Sequence, residues 1–86
     1  MTPEQQIIEG KRLVVEKANI LAQENGINIE NTEWKPHDGL VYNLSLTANN
    51  KTVMGGFLHM WLADYPAQSS PEANAMISEM IFNCRK

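Results

Sequence analysis

The stretch TVMGGFLHMWLADYP, Thr52–Pro66, opens with the alternation of a β-strand, meets two glycines, and then runs apolar almost everywhere to a proline. Its reading decides how many strands the chain has and where its second helical region begins. Extended, Phe57, His59, Trp61 and Ala63 share one face and Leu58, Met60 and Leu62 the other. Coiled, Phe57, Leu58, Trp61 and Leu62 make a stripe. Aromatic content predicts a strand through about Met60, then a turn or single helical turn near Leu62–Tyr65, with Pro66 ending either form. The alternative is a third segment that is partly helical near Phe57–Tyr65. Gly55-Gly56 predicts a kink, a bulge or a close backbone approach, because glycine weakens a strand unless its missing side chain is used.

Upstream, LVYNLSLTA is the clearest strand: Leu40, Tyr42, Leu44 and Leu46 face one way and Val41, Asn43, Ser45 and Thr47 the other. One side is dry and the other mostly wet, as in an antiparallel sheet covered on one face. Asn49-Asn50 suits a tight hairpin, so the segment from Thr52 pairs back on this strand. Before it, Pro36-His37-Asp38-Gly39 is a turn, with proline setting φ and Asp-Gly accommodating positive φ. INIENTEWK, from Ile27, alternates weakly and predicts the first strand.

The flanks are helical. Thr2 caps, Pro3 opens the first turn, and Gln5 completes a capping box. Gly26 suits the left-handed position after the last turn. Ile7, Ile8, Val14, Val15, Ala18, Leu21 and Ala22 gather on the core face, while Leu13 and Ile20 lie together on the other side as a candidate second contact. Near the C-terminus Ser70, Pro71 and Glu72 start a helix to about Cys84, with Ala73, Met76, Ile77, Met80, Ile81 and Cys84 in one apolar stripe.

These elements make one domain, residues 1–86, of α+β class: order α-β-β-β-α, a three-stranded antiparallel sheet with two helices on one face. A composition 43% apolar and 20% charged is globular rather than disordered. One cysteine and no apolar h-region at the start predict a reducing, cytoplasmic setting, and no run is long enough to span a bilayer.

Chemistry is sparse in the pattern. A zinc site needs three or four ligands, and two distant histidines with one cysteine supply no such spacing, so no metal is expected. No nucleophile elbow or phosphate-binding glycine motif occurs, and no cofactor or catalytic residue is assigned. An enzyme built on His59, Asp64 and Cys84 requires those three side chains to converge.

The order α-β-β-β-α resembles the double-stranded-RNA-binding domain fold. In that family a lysine-rich KKxAK-type motif opens the last helix and touches phosphates. Here the helix opens with SSPEANA, carrying Glu72 and no cation before Arg85. The net charge of −3 likewise argues against nucleic acid as the partner. The expectation is a small, acidic, non-enzymatic protein–protein interaction module (an adaptor, regulator or inhibitor) that can also form a homodimer. The alternative is a nucleic-acid-binding domain of double-stranded-RNA-binding-like architecture. Candidate partner contacts are Phe57, His59, Trp61, Leu13, Ile20 and Trp34, because aromatic and surplus apolar side chains are what interfaces use.

Overall fold

The structure, a computed structural model, describes residues 2–84. Six elements follow in order: α1 (Pro3–Glu24), β1 (Ile29–Pro36), β2 (Val41–Ala48), β3 (Lys51–Leu58), α2 (His59–Asp64) and α3 (Pro71–Asn83). The strands form one antiparallel sheet in the order β1-β2-β3. The helices cover the face that carries Leu44, Leu46, Ala48 and Phe57, all fully buried. The α+β arrangement is the one the sequence predicts, with one short helix added.

Each end of α1 is closed by its own chemistry. Thr2 Oγ1 accepts from the Gln5 amide at 3.2 Å, and Gln5 Oε1 accepts from the Thr2 amide at 2.9 Å. At the other end Gly26 takes φ 70°. Its amide donates to the Gln23 carbonyl at 3.1 Å and that of Ile27 to Ala22 at 2.7 Å, which turns the buried Ile27 into the core. Val14, Ala18 and Ala22 are buried along the helix. Two residues of α1 depart from the sequence reading. Ile8, assigned to the core stripe, is 65% exposed, because it points about 100° round α1 from Ile7, which packs on the core, and away from the α2 contact made at Gly10. Leu13, assigned to the outer side, is half-buried against the core, since α2 and α3 flank α1 and widen its covered arc.

The β2–β3 hairpin closes through two residues, Asn49 (φ 54°) and Asn50 (φ 63°), both left-handed as the tight turn requires. Register then runs unbroken from Ala48↔Lys51 to Val41↔Leu58. The glycine pair therefore makes neither a bulge nor a kink. Gly55 serves close approach instead: a Cβ there would stand 2.5 Å from Met80 Sδ and 3.1 Å from Met76 Sδ, so α3 packs on the bare strand. The irregularity lies in β1, between Ile29↔Ala48 and Asn31↔Thr47, where Glu30 is the extra residue. That insertion brings Ile29 to the same side as Trp34, and both pack against the core.

The β1–β2 turn also differs from the reading. Gly39 has no positive φ; the Asp38 carboxylate holds the turn, accepting from the amides of Leu40 at 2.7 Å and Val41 at 3.1 Å. Leu40 precedes the strand rather than starting it and is 71% exposed.

β3 ends at Leu58, two residues earlier than predicted, and α2 begins at once at His59. The partner strand has run out at this point: Leu58 pairs with Val41, the first residue of β2, and the His59 amide still reaches the Leu40 carbonyl at 2.9 Å. A further extended segment would carry Trp61 and Leu62 past the end of the sheet. Coiling instead buries Leu62 completely and sets its backbone against α1. A Cβ on Gly10 would fall 1.9 Å from the Leu62 carbonyl oxygen, so this crossing exists because residue 10 has no side chain.

α3 starts with Ser70 Oγ accepting from the Ala73 amide at 3.2 Å; of its predicted stripe Ala73, Ile77, Met80, Ile81 and Cys84 are buried and Met76 is half-buried. The Tyr65 hydroxyl donates to Asn74 Oδ1, fastening the α2–α3 connection to α3. At the far end Asn49 Nδ2 donates to the Cys84 carbonyl at 2.9 Å, fastening α3 to the hairpin tip.

Candidate interaction surface

Four of the six candidate partner residues gather at one end of the sheet. Trp34 meets Phe57 edge-on with ring centroids 5.4 Å apart, and Phe57 meets Trp61 edge-on at 6.3 Å. His59 stacks on Tyr42 at 4.4 Å, and the Lys11 ammonium stands 3.6 Å from the centre of the Tyr42 ring. Burial in this corner pulls the Lys11 pKa below the ordinary lysine value. His59 Nε2 is buried and has no hydrogen-bond partner among the described residues. Phe57 is the hub of the group and is fully buried, so it offers no surface to a partner. Trp34, His59 and Trp61 are half-buried.

Leu13 and Ile20 are not part of this cluster: Leu13 is half-buried against the core and Ile20 is 47% exposed. His59 and Asp64 belong to α2, at one end of β3, whereas Cys84 is fastened to the hairpin tip at the other. The eight residues of β3 separate them, at about 3.3 Å each. These three side chains do not converge. Among the described residues no three His, Cys, Asp or Glu side chains come close enough to hold a metal ion, and no helix is long and apolar enough to cross a membrane.

A cleft of about 510 Å³ opens beside the aromatic end, between α2 and the start of α3. Met60, Trp61 and Asp64 line it from α2, and Gln68, Ser70 and Glu72 form a polar wall from the connection and the start of α3. Ser70 Oγ donates to Glu72 Oε2 at 3.1 Å, so the polar wall is internally bonded.

The two edges of the sheet differ more sharply than the faces. β1 is guarded: its ladder is broken by the extra residue Glu30, it ends in Pro36, and Glu30, Glu33 and Lys35 stand exposed along it. β3 has no bulge, no proline and one charged residue, Lys51, over eight residues. The two-residue turn fixes which of its backbone groups are used. The residues flanking such a turn are a hydrogen-bonded pair, and alternate pairs follow. Lys51, Val53, Gly55 and Phe57 thus bond to β2, while the amides and carbonyls of Thr52, Met54, Gly56 and Leu58 point away from it. The side chains of Thr52, Met54 and Leu58 lie on the uncovered face. Met54 is 59% exposed there, with Val41 and Leu58 half-buried beside it.

The helix side of the same edge is equally defined. Met76 and Met80 rest on Gly55, so α3 lies over β3. Ile81 and Ser78 turn toward Leu21 and Asn25 of α1. The flank of α3 beyond Met76, away from α1, therefore borders the free edge, and it carries Glu72, Glu79 and Asn83, all exposed. Met54, Leu58 and this acidic flank were not among the residues singled out from sequence. The alternation Thr52, Met54, Gly56, Leu58 is the sequence signal for this edge, and the denser apolar run after it masks it.

No protein-family model, curated protein or solved structure matches the chain. The likeness to the double-stranded-RNA-binding arrangement is therefore one of element order alone.

Proposed function

We propose that this domain is a non-enzymatic protein–protein interaction module that receives an extended segment along the free edge of β3. The observation that carries this reading is the contrast between edges, a guarded β1 and an uninterrupted eight-residue β3 whose outward groups at Thr52, Met54, Gly56 and Leu58 form a ready ladder. Met54 and Leu58 add apolar area for alternate side chains of the incoming strand. The charge favours this class over nucleic acid: the first turn of α3 presents Glu72, and Lys11 is turned onto Tyr42. Arg85 and Lys86 lie outside the described residues.

The test is selection of random displayed dodecapeptides on the immobilised domain. The expected result is a set of alternating, extended peptides whose binding is lost in Met54→Pro. An edge proline whose missing amide points away from the sheet leaves β2–β3 pairing intact. Binding to Thr32→Pro, at a position of the guarded edge whose amide points away from β2, is expected to persist. Peptides held equally by Met54→Pro would overturn the reading. Saturable, salt-sensitive binding of duplex RNA would replace it with the nucleic-acid alternative.

A further inference from the structure

The free edge has two chemically different sides, and together they specify what it takes. We infer that the segment received by β3 is a basic one, alternating Lys or Arg with apolar residues, and this rests on the strand-addition reading above. An added strand places successive side chains on opposite faces of the sheet. On the uncovered face they meet Met54 and Leu58, with Val41 one strand further in, a surface without charge on the two strands nearest the edge. On the helix face they meet Lys51 at the hairpin end and, along the rest of the strand, the flank of α3, where Glu72 and Glu79 stand exposed about two turns apart. Seven residues of helix span about 10 Å, which the long stems of Lys or Arg at alternate strand positions can cover. The apolar series and the basic series thus fall on opposite sides of the same peptide.

The same flank disfavours a second copy of this chain as the occupant. Pairing β3 with itself about a two-fold axis would bring α3 beside its own copy in antiparallel orientation. Met76 and Met80 sit at the middle of the strand, over Gly55, so the axis would pass near them and set Glu79 facing its own copy. With a net charge of −3 on each chain, that contact is repulsive.

The experiment uses fluorescently labelled octapeptides of alternating Val-Lys, Val-Glu and Val-Ser, titrated with the whole domain at low and high salt. The Val-Lys peptide is expected to bind most tightly, to weaken as salt rises, and to lose about five- to tenfold affinity in Glu79→Lys, the scale of an exposed pair converted to a repulsion. The Val-Glu peptide is expected to gain affinity in the same variant, a reversal that mere damage to the fold cannot produce. Met54→Pro is expected to abolish binding of all three. If Val-Ser or Val-Glu binds as tightly as Val-Lys, and Met54→Pro still abolishes it, the charge inference fails and the module reading stands. If no peptide responds to Met54→Pro, both fail. Sedimentation of the free domain supplies the last outcome: a dimer that Met54→Pro dissociates would make the second copy the occupant and overturn the basic partner.

Discussion

Replacing Gly10 by alanine tests the logic of the fold with a signed result. On an exposed helix the change would stabilise, by about 0.8–1 kcal/mol, since alanine is the better helix former. Here the added methyl would meet the Leu62 carbonyl oxygen at 1.9 Å and its carbon at 2.6 Å. The obstacle is backbone, so no side chain can rotate away, and α1 and α2 must part by about 1.5 Å to restore an ordinary contact. Overpacking of this kind costs about 1–3 kcal/mol and more where relief is blocked. The propensity gain offsets only part of it. A net loss of about 2 kcal/mol is expected, against a total stability of about 4–13 kcal/mol for a chain of this length. In a thermal melt that is a fall of about 8–16 °C. Urea titration followed by the fluorescence of Trp34 and Trp61 measures it at 25 °C. Gly39→Ala is the control, because nothing lies within 4 Å of its added carbon and its φ is ordinary, and a gain of up to about 1 kcal/mol is expected there. If Gly10→Ala raises the urea midpoint as the control does, the close crossing of α1 on α2 is wrong.

Asn50→Gly is expected to raise the urea midpoint by the equivalent of a few tenths to about 1 kcal/mol, because Asn50 already holds φ 63° and glycine does so without a steric penalty. Ser70→Ala removes the acceptor of the Ala73 amide at a buried helix start, and a loss of about 1–2 kcal/mol is expected in the same assay. Burial pushes the Cys84 thiol and the Tyr65 phenol above their ordinary values, so the folded chain keeps both protons longer than the unfolded one. The stability these groups support is complete below the ordinary thiol value and drains as pH climbs past it, so urea midpoints should fall from about pH 9 upward. Cys84→Ala should delay that fall. Lys11 runs the other way: burial lowers its pKa, the folded chain sheds its proton first, and its desolvation cost eases with rising pH, so Lys11→Met should steepen the fall. Identical slopes in the three proteins between pH 8 and 10.5 would contradict the assigned burial.

Sequence pattern carried much of this fold because several elements are locally consistent. Thr2, Gln5 and Gly26 close α1 with groups a few residues apart, and Ser70 and Pro71 open α3 the same way. The readings that failed depended on distant neighbours. Whether residues 59–62 extend or coil is decided by where β2 begins, and the use of Gly55 by methionines more than twenty positions later. The weak alternation of β1 has its cause in Glu30, whose insertion shifts Ile29 relative to Trp34 and blurs the period. The aromatic cluster was legible as composition, and Trp34, Phe57 and Trp61 do meet. Fully buried Phe57, however, belongs to the core. The free edge was harder to see, because the value of Met54 and Glu79 depends on which strand lies outermost and which helix lies over it.

The course of α1 and α3 has a mechanical consequence. The Gly10 region of α1 lies against α2, which leads into the start of α3, and Leu21 and Asn25 lie beside Ser78, Ile81 and Phe82 near its end. The two helices therefore run the same way, and residues 2 and 84 stand toward opposite poles of a body 39 Å long. Tension applied between those poles slides α1 past α3 and the sheet along their length, so the packed side chains resist together instead of peeling apart one by one. Joining the poles to make a circular permutant would take a linker on the order of ten residues. A fusion at one pole leaves the other clear.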